Sequence, residues 1–329
     1  MKRIPTLDSL RALAFATVFI HHAYHVPLLW AGVDCFFVLS GFLITAILIS
    51  QRGNPGALKS FYLKRARRIL PPYALSLIVA SITVGVAWKT DWPWLAFFAA
   101  NVGVSFNFMR TTALSPLWSL SVEEHFYLIW PFLLLFLPLA HVQKTLIVIV
   151  FVAPILRFLC TPLFLTEFPI YLLTPFRVDL LAMGGLIALS LDTYKERWKS
   201  AVPWLFSFGL IILATLALLG YRRTTGDTRA FNVFGFEAIL AIASALVIYG
   251  ATLEEGIVHS VLILAPIRYI GRISYFAYLI HFPMLHWIHS PLIALAATLI
   301  FSGFSWELME KHLIGRKIAG PTRLSEAVV

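Results

Sequence analysis

Apolar residues along this chain fall in blocks of about twenty, separated by short stretches rich in Lys, Arg, Asn, Gly or Pro. A helix crossing a bilayer needs about 20 mostly apolar residues, and the pattern predicts ten candidate spans. They lie near Leu7–Trp30, Ala31–Ser50, Leu70–Trp88, Leu117–Leu139, Thr145–Leu165, Phe168–Leu191, Ala201–Gly220, Phe231–Gly250, Ile273–Ser290 and Pro291–Met309. Trp92–Phe108 is shorter and broken by Asn101, Gly103 and Asn107, which suits an interfacial or re-entrant segment. Ile257–Ile267 is too short to cross and runs through Pro266, which predicts an interfacial turn. The expected fold class is therefore all-α: a polytopic transmembrane bundle of about ten helices. It forms one membrane domain over residues 1–310, followed by a short basic cytoplasmic tail at 311–329.

Composition agrees. Of 329 residues, 60% are hydrophobic and 13% charged, and mean hydropathy is +0.84, a balance foreign to soluble domains. The net charge of +10 raises nucleic acid as a partner, but the cations cluster in particular loops, as topology requires. Lys59, Lys64, Arg65, Arg67, Arg68, Lys195, Arg197, Lys199, Arg268, Arg272, Lys311 and Arg316 fall on one side with both termini. The positive-inside bias makes that side cytoplasmic; Arg222, Arg223 and Arg229 run against it. Cys35 and Cys160 lie in apolar runs, which argues against a disulfide framework or zinc ribbon. Lys2 and Arg3 precede the first apolar run as in a signal peptide, but Asp8 and Arg11 interrupt it, so it reads as a retained helix.

That first helix carries Asp8, Arg11, His21, His22 and His25. A charge at the centre of a membrane helix costs roughly 2.5–3.5 kcal/mol on insertion scales. At about 100° per residue, Arg11 and His22 share one face and are separated by about 16 Å of rise. Asp8 and His25 extend the same stripe, while His21 points about 80° away. Asp8 and Arg11 admit a structural reading as an ion pair that snorkels to the interface; His25 admits one at the opposite interface. His22 is hardest to explain as packing. His21 and His25, with Asp34 as a third group, form only a weak metal pattern, so no metal is assigned.

Six blocks in order then give the sequence its resemblance. LDSLRALAF with its deep His places an Arg-x10-His element on Arg11 and His22. GVDCFFVLSGFLIT follows at Gly32–Thr45, and FYLKRARRILPPY carries Arg-x-x-Arg on Arg65 and Arg68. LWSLSVEEHFYLIWP, FRVDLLAMGG and IGRISYFAYLIHFP complete the series. The chain resembles the acyltransferase-3 family of integral-membrane O-acyltransferases nearly end to end. His125 stands where members often carry Gln, and Glu310–Lys311–His312 replaces the usual Glu-Arg-Pro.

The resemblance implies transfer of an acyl group, often acetyl, from cytoplasmic acyl-CoA to a hydroxyl of a carbohydrate or glycolipid, in the inner membrane of a bacterium. No bound cofactor is implied; acyl-CoA is a co-substrate. Some relatives add a periplasmic hydrolase-like domain, so a separate periplasmic partner is the expectation here. His22 is the candidate general base, because a neutral imidazole near its pKa suits removal of an alcohol proton. Arg11 is a candidate to orient the donor, with Asp8 fixing its guanidinium. Arg65 and Arg68, three residues apart, suit the donor phosphates; the plain alternative is a positive-inside loop facing anionic lipid.

Asp34 is a candidate to orient His22 or His25, or to receive the acceptor. Glu123 or Glu124 is a candidate for acceptor hydroxyls or for pairing with Arg177; an Arg177–Asp179 pair that neutralises itself is equally compatible. Ser40 reads as a small packing residue. His281 either lines a cavity or hydrogen-bonds a neighbouring helix. Trp92 and Trp94 read as an interfacial belt. The competing class is a proton-coupled transporter of a small anionic or sugar substrate, which would also bury charges in broken helices.

Overall fold

A computed structural model describes residues 4–221 and 228–315. Among them there are fifteen α-helices and no strand. They are α1 (Pro5–Tyr24), α2 (Gly32–Gln51), α3 (Ala57–Thr83), α4 (Trp88–Ala96), α5 (Ala100–Ser105), α6 (Leu117–Phe136), α7 (Leu139–Cys160), α8 (Phe168–Leu172), α9 (Val178–Ser190), α10 (Lys195–Leu218), α11 (Phe236–Thr252), α12 (Ile257–Leu262), α13 (Ala265–Trp287), α14 (Pro291–Ser305) and α15 (Lys311–Gly315). Of the predicted tail, residues 311–315 form α15; residues 316–329, with Lys2, Arg3, Arg222 and Arg223 of the charge argument, lie outside the described residues.

Five stretches are long and apolar enough to cross a membrane: Leu29–Gln51, Leu139–Leu163, Lys195–Leu218, Phe231–Thr252 and Pro291–Leu313. The other long helices, α1, α3, α6 and α13, span 20, 27, 20 and 23 residues. Their apolar runs are interrupted by ionic and other polar side chains, and these four helices, with α2, line the site described below. Two expected spans are redrawn, and the segment expected not to cross does not. Phe168–Leu191 is broken at the extended Leu173 and at Pro175 into α8, a 3₁₀ turn and the 13-residue α9, because proline cannot donate to the helical ladder. The third span begins thirteen residues early, at Ala57, so LKRARR is helical. Trp92–Phe108 forms α4 and α5, both too short to cross.

Helix α2 is the axis of the bundle, packed against α1, α3, α6, α9 and α11. Phe37, Val38, Ile44 and Leu48 are buried along it. By contrast α7, α10 and α14 turn large apolar side chains outward, among them Phe151, Phe158, Trp204, Ile211, Leu292 and Phe304. Exposed hydrocarbon on that scale has lipid as its natural solvent. Small residues set the close crossings. A Cβ on Gly271 would lie 1.8 Å from the carbonyl oxygen of Asp8, which pins α13 parallel against α1. One on Gly41 would lie 2.0 Å from the carbonyl oxygen of Leu181, at the α2–α9 contact.

Buried ion pairs tie the second half of the chain to this axis. Arg177 donates to Asp34 across α2 and the start of α9. Arg157 on α7 donates to Asp179 at 2.8 Å, to the carbonyl of Phe176 at 2.6 Å, and to Glu237 on α11. The self-neutralising Arg177–Asp179 pair is thereby excluded: each residue pairs across helices instead. Pairing of Arg177 with Glu123 or Glu124 is excluded too, since Asp34 takes it.

Candidate active site

Arg65 and Arg68 lie three residues apart on α3 and line one cavity of about 340 Å³. Asp8 and Arg11 from α1, Ser40 from α2, Glu123 from α6 and Arg272 from α13 line it as well. Four guanidinium groups around a single cavity suit a polyanion, because each presents a fork of donors to phosphate oxygens. Arg65 is steadied by aromatic faces, its guanidinium lying 5.6 Å from the centroid of Phe61 and 5.3 Å from that of Tyr127. Arg272 was counted in the sequence only as a loop cation.

The cavity narrows at Arg11 and Glu123, which also line a second space of about 40 Å³. Arg11 sits over Phe36 at 5.9 Å and within electrostatic reach of Arg68, Glu123 and Asp8. Glu123 accepts a hydrogen bond from Ser40 at 2.6 Å. The hydroxyl of Ser40 therefore works in the site, beyond the packing role expected of it. Glu124, the neighbouring acid, lines neither space, and its Oε1 is buried without a hydrogen-bond partner. The small space is walled by Val33, Phe36, Phe37, Leu120 and Leu279, with the hydroxyls of Ser119, Ser274 and Tyr278 among them.

Beyond this chamber stand two histidines. His22 Nδ1 lies 2.8 Å from His281 Nε2, and His281 Nδ1 lies 2.6 Å from the carbonyl oxygen of Tyr278. A carbonyl can only accept, so His281 carries its proton on Nδ1 and presents a bare Nε2. His22 must then donate from Nδ1, which leaves the lone pair on His22 Nε2. This tautomer is the one a general base requires. Of the two expectations for His281, the hydrogen bond to a neighbouring helix holds; it is fully buried.

His22 lines neither the arginine cavity nor the chamber. A row of rings leads from the chamber to His22: Phe36 and Tyr278 of its lining have ring centroids 6.0 Å apart, and His281, the partner of His22, lies 5.4 Å from Tyr278. On its other side His22 stacks near Phe282 at 4.6 Å, and Phe282 meets His286 at 4.4 Å. His286 borders an open crevice of about 540 Å³ with Arg110, Thr111, Thr112, Trp287 and His289. Asp91 shapes the rim by accepting from the backbone N–H groups of Arg110 and Thr111 at 2.8 and 2.9 Å.

Three expected contributors lie elsewhere. Asp34 is committed to Arg177, away from His22 and His25, because burial demands a partner for each charge. Arg177 and Asp179 belong to the same buried ionic set. Sequence reading missed Arg272, Tyr275 and Tyr278, although their spacing of three on α13 puts them on one helical face.

The profile of the acyltransferase-3 family (Acyl_transf_3), described as an acyltransferase domain, matches residues 4–307. The peptidoglycan O-acetyltransferase OatA of Listeria monocytogenes is 32% identical over 318 residues, covering 86% of this chain and 50% of that protein. The O-acetyltransferase OatA of Staphylococcus aureus is 29% identical over 315 residues, with 87% and 51% covered. The chain thus spans about half the length of the curated relatives it matches. No solved structure matches it.

Proposed function

The chain belongs to the acyltransferase-3 family, and from that premise we propose that it is a membrane O-acetyltransferase. It takes the acetyl group of acetyl-CoA bound in the arginine cavity and transfers it to a hydroxyl of a cell-envelope carbohydrate. One observation carries the reading: a cavity with four arginines narrows to a small chamber, and a hydrogen-bonded histidine pair stands behind it. Arg65, Arg68 and Arg272 hold the phosphates of the donor. Arg11, with Asp8 and Glu123 near it, positions the thioester end at the neck.

The acceptor approaches from the His22 side, by way of the crevice bordered by Arg110, His286 and Trp287. Its hydroxyl gives its proton to His22 Nε2 as the oxygen attacks the thioester carbonyl. The C–S bond then breaks, and the departing thiolate takes the proton back from the imidazolium. Phe36 and Tyr278 line the chamber and Tyr278 adjoins His281, so in this reading rotation of these two side chains joins the chamber to His22. His281 is a positioning residue that keeps the proton of His22 on Nδ1. The inner membrane of a bacterium, with the arginine cavity open to the cytoplasm, fits this donor. The Listeria relative is named for peptidoglycan, so peptidoglycan fragments are the first acceptors to try.

The test uses purified protein in lipid with isotopically labelled acetyl-CoA and peptidoglycan or other envelope glycans. Ester formation that falls about 10²–10⁴-fold in His22→Ala supports the reading, the range that one general base contributes. Normal turnover by that variant removes His22 from the role. Uptake of glycan into vesicles with no ester formed would favour the transporter.

A further inference from the structure

The small chamber behind Arg11 has a consequence for which acyl group can be used. Resting on the proposed function, we infer that this chamber is the acyl pocket, and that its packed walls admit acetyl and exclude longer chains.

Position gives the first argument. On each helix that lines both spaces, the chamber residues lie nearer the His22 end than the cavity residues. On α2 the step is from Ser40 and Ile44 to Val33 and Phe37. On α6 it is from Tyr127 to Ser119, and on α13 from Arg272 to Tyr278 and Leu279. The chamber is therefore the inner continuation of the arginine cavity, where the thioester end of a donor anchored by its phosphates would arrive.

Size gives the second. The chamber is about 40 Å³, and one water needs roughly 10–15 Å³ on that measure. It thus has room for about three non-hydrogen atoms, the number in an acetyl group. The walls other than Phe36 and Tyr278, which turn to admit the acceptor hydroxyl, cannot easily yield. Val33, Phe37, Leu120 and Leu279 are all buried, and Phe37 is held edge-on by Trp118 at 5.8 Å. Nor can a longer chain fold back, because Arg11 and Glu123 stand at the neck and hydrocarbon there would desolvate them without compensation. The hydroxyls of Ser119 and Tyr278, 2.8 Å apart, give the thioester carbonyl a polar side to face.

The test compares acetyl-, propionyl-, butyryl- and hexanoyl-CoA with the wild type, Leu279→Ala and Val33→Leu in lipid. The wild type should lose about tenfold or more in kcat/KM for each added methylene, the low end of what pockets achieve. Leu279→Ala should raise the butyryl-to-acetyl ratio at least tenfold. Val33→Leu should depress acetyl transfer while the inhibition constant of competing free CoA stays unchanged, since the phosphates bind elsewhere. A wild type that uses butyryl-CoA as well as acetyl-CoA overturns the inference outright, as does an unchanged ratio in folded Leu279→Ala. Transfer from no CoA thioester at all would sink the proposed function, and the inference with it. Transfer with a flat chain-length profile sinks the inference alone.

Discussion

Replacing His281 with alanine removes the acceptor that keeps the proton of His22 on Nδ1. The neutral imidazole is then free to carry its proton on Nε2, where it cannot act as a base, and the ring loses the partner that fixes its orientation. His281→Ala is expected to lower kcat about tenfold or more while KM for acetyl-CoA stays within twofold, and His281→Gln, whose side-chain oxygen can accept, should restore part of the loss. An equal rise in KM would make His281 a binding or structural residue instead. Arg272 belongs to the same scale. Arg272→Ala, like the pair Arg65→Ala and Arg68→Ala, should raise KM for acetyl-CoA with little change in kcat, because phosphate contacts are present equally in ground and transition states. A donor titration with each variant checks this; an unchanged KM for Arg272→Ala removes it from the donor site. The sequence displayed Arg11, His22, Arg65 and Arg68 through spacing and cost. It hid Arg272 among loop cations, because nothing in one dimension says that the foot of α13 meets α3.

At the scale of elements, the site depends on how closely α13 lies against α1. The absent side chain of Gly271 lets the backbone of α13 reach the carbonyl of Asp8, and this sets the height of His281 opposite His22. Gly271→Ala forces the helices apart. Overpacking of this kind typically costs about 1–3 kcal/mol, and the expected outcome is a lower melting temperature in detergent together with loss of transfer. Full activity in that variant would show that the α1–α13 crossing does not set the histidine pair. The rim of the outer crevice rests on Asp91. Burial opposes ionisation of its carboxyl, but hydrogen bonds from Thr111, Arg110 and Thr90 hold its pKa below the ordinary value. A depressed folded pKa means the stabilisation is present above the unfolded value of about 3.9 and is lost as pH falls through the lower folded value. Wild type should therefore melt above Asp91→Asn at neutral pH, and the gap should close below about pH 4. A gap that persists in acid would show that the carboxylate charge is not what orders the Arg110–Thr111 turn.

For the whole molecule, the ionic set around Arg157 and Arg177 is what holds α2, α7, α9 and α11 together in a low-dielectric interior. Removing one partner strands a buried charge, at a cost of about 3–5 kcal/mol. Arg157→Ala and Arg177→Ala should each reduce the yield of folded protein after detergent extraction, with no selective effect on donor KM; a folded Arg177→Ala enzyme with only a KM defect would return Arg177 to the substrate site.

Chain composition alone determined that this is a helical membrane protein, because runs of some twenty apolar residues have few other stable environments. The first helix likewise displayed one polar face, since an arginine and a histidine on one stripe are costly in lipid. Motif order pointed to the family. Span count and partner choice were beyond it. Pro175 marks the break in Phe168–Leu191, but which side chains pair across helices, and whether Asp34 serves His22 or Arg177, depend on which helix lies beside α2. Those are decided by long-range packing: side chains carry no mark of their partner until backbones approach within a few ångströms. Only the tertiary structure could bring four arginines from three helices around one cavity, and place behind it a chamber of about 40 Å³.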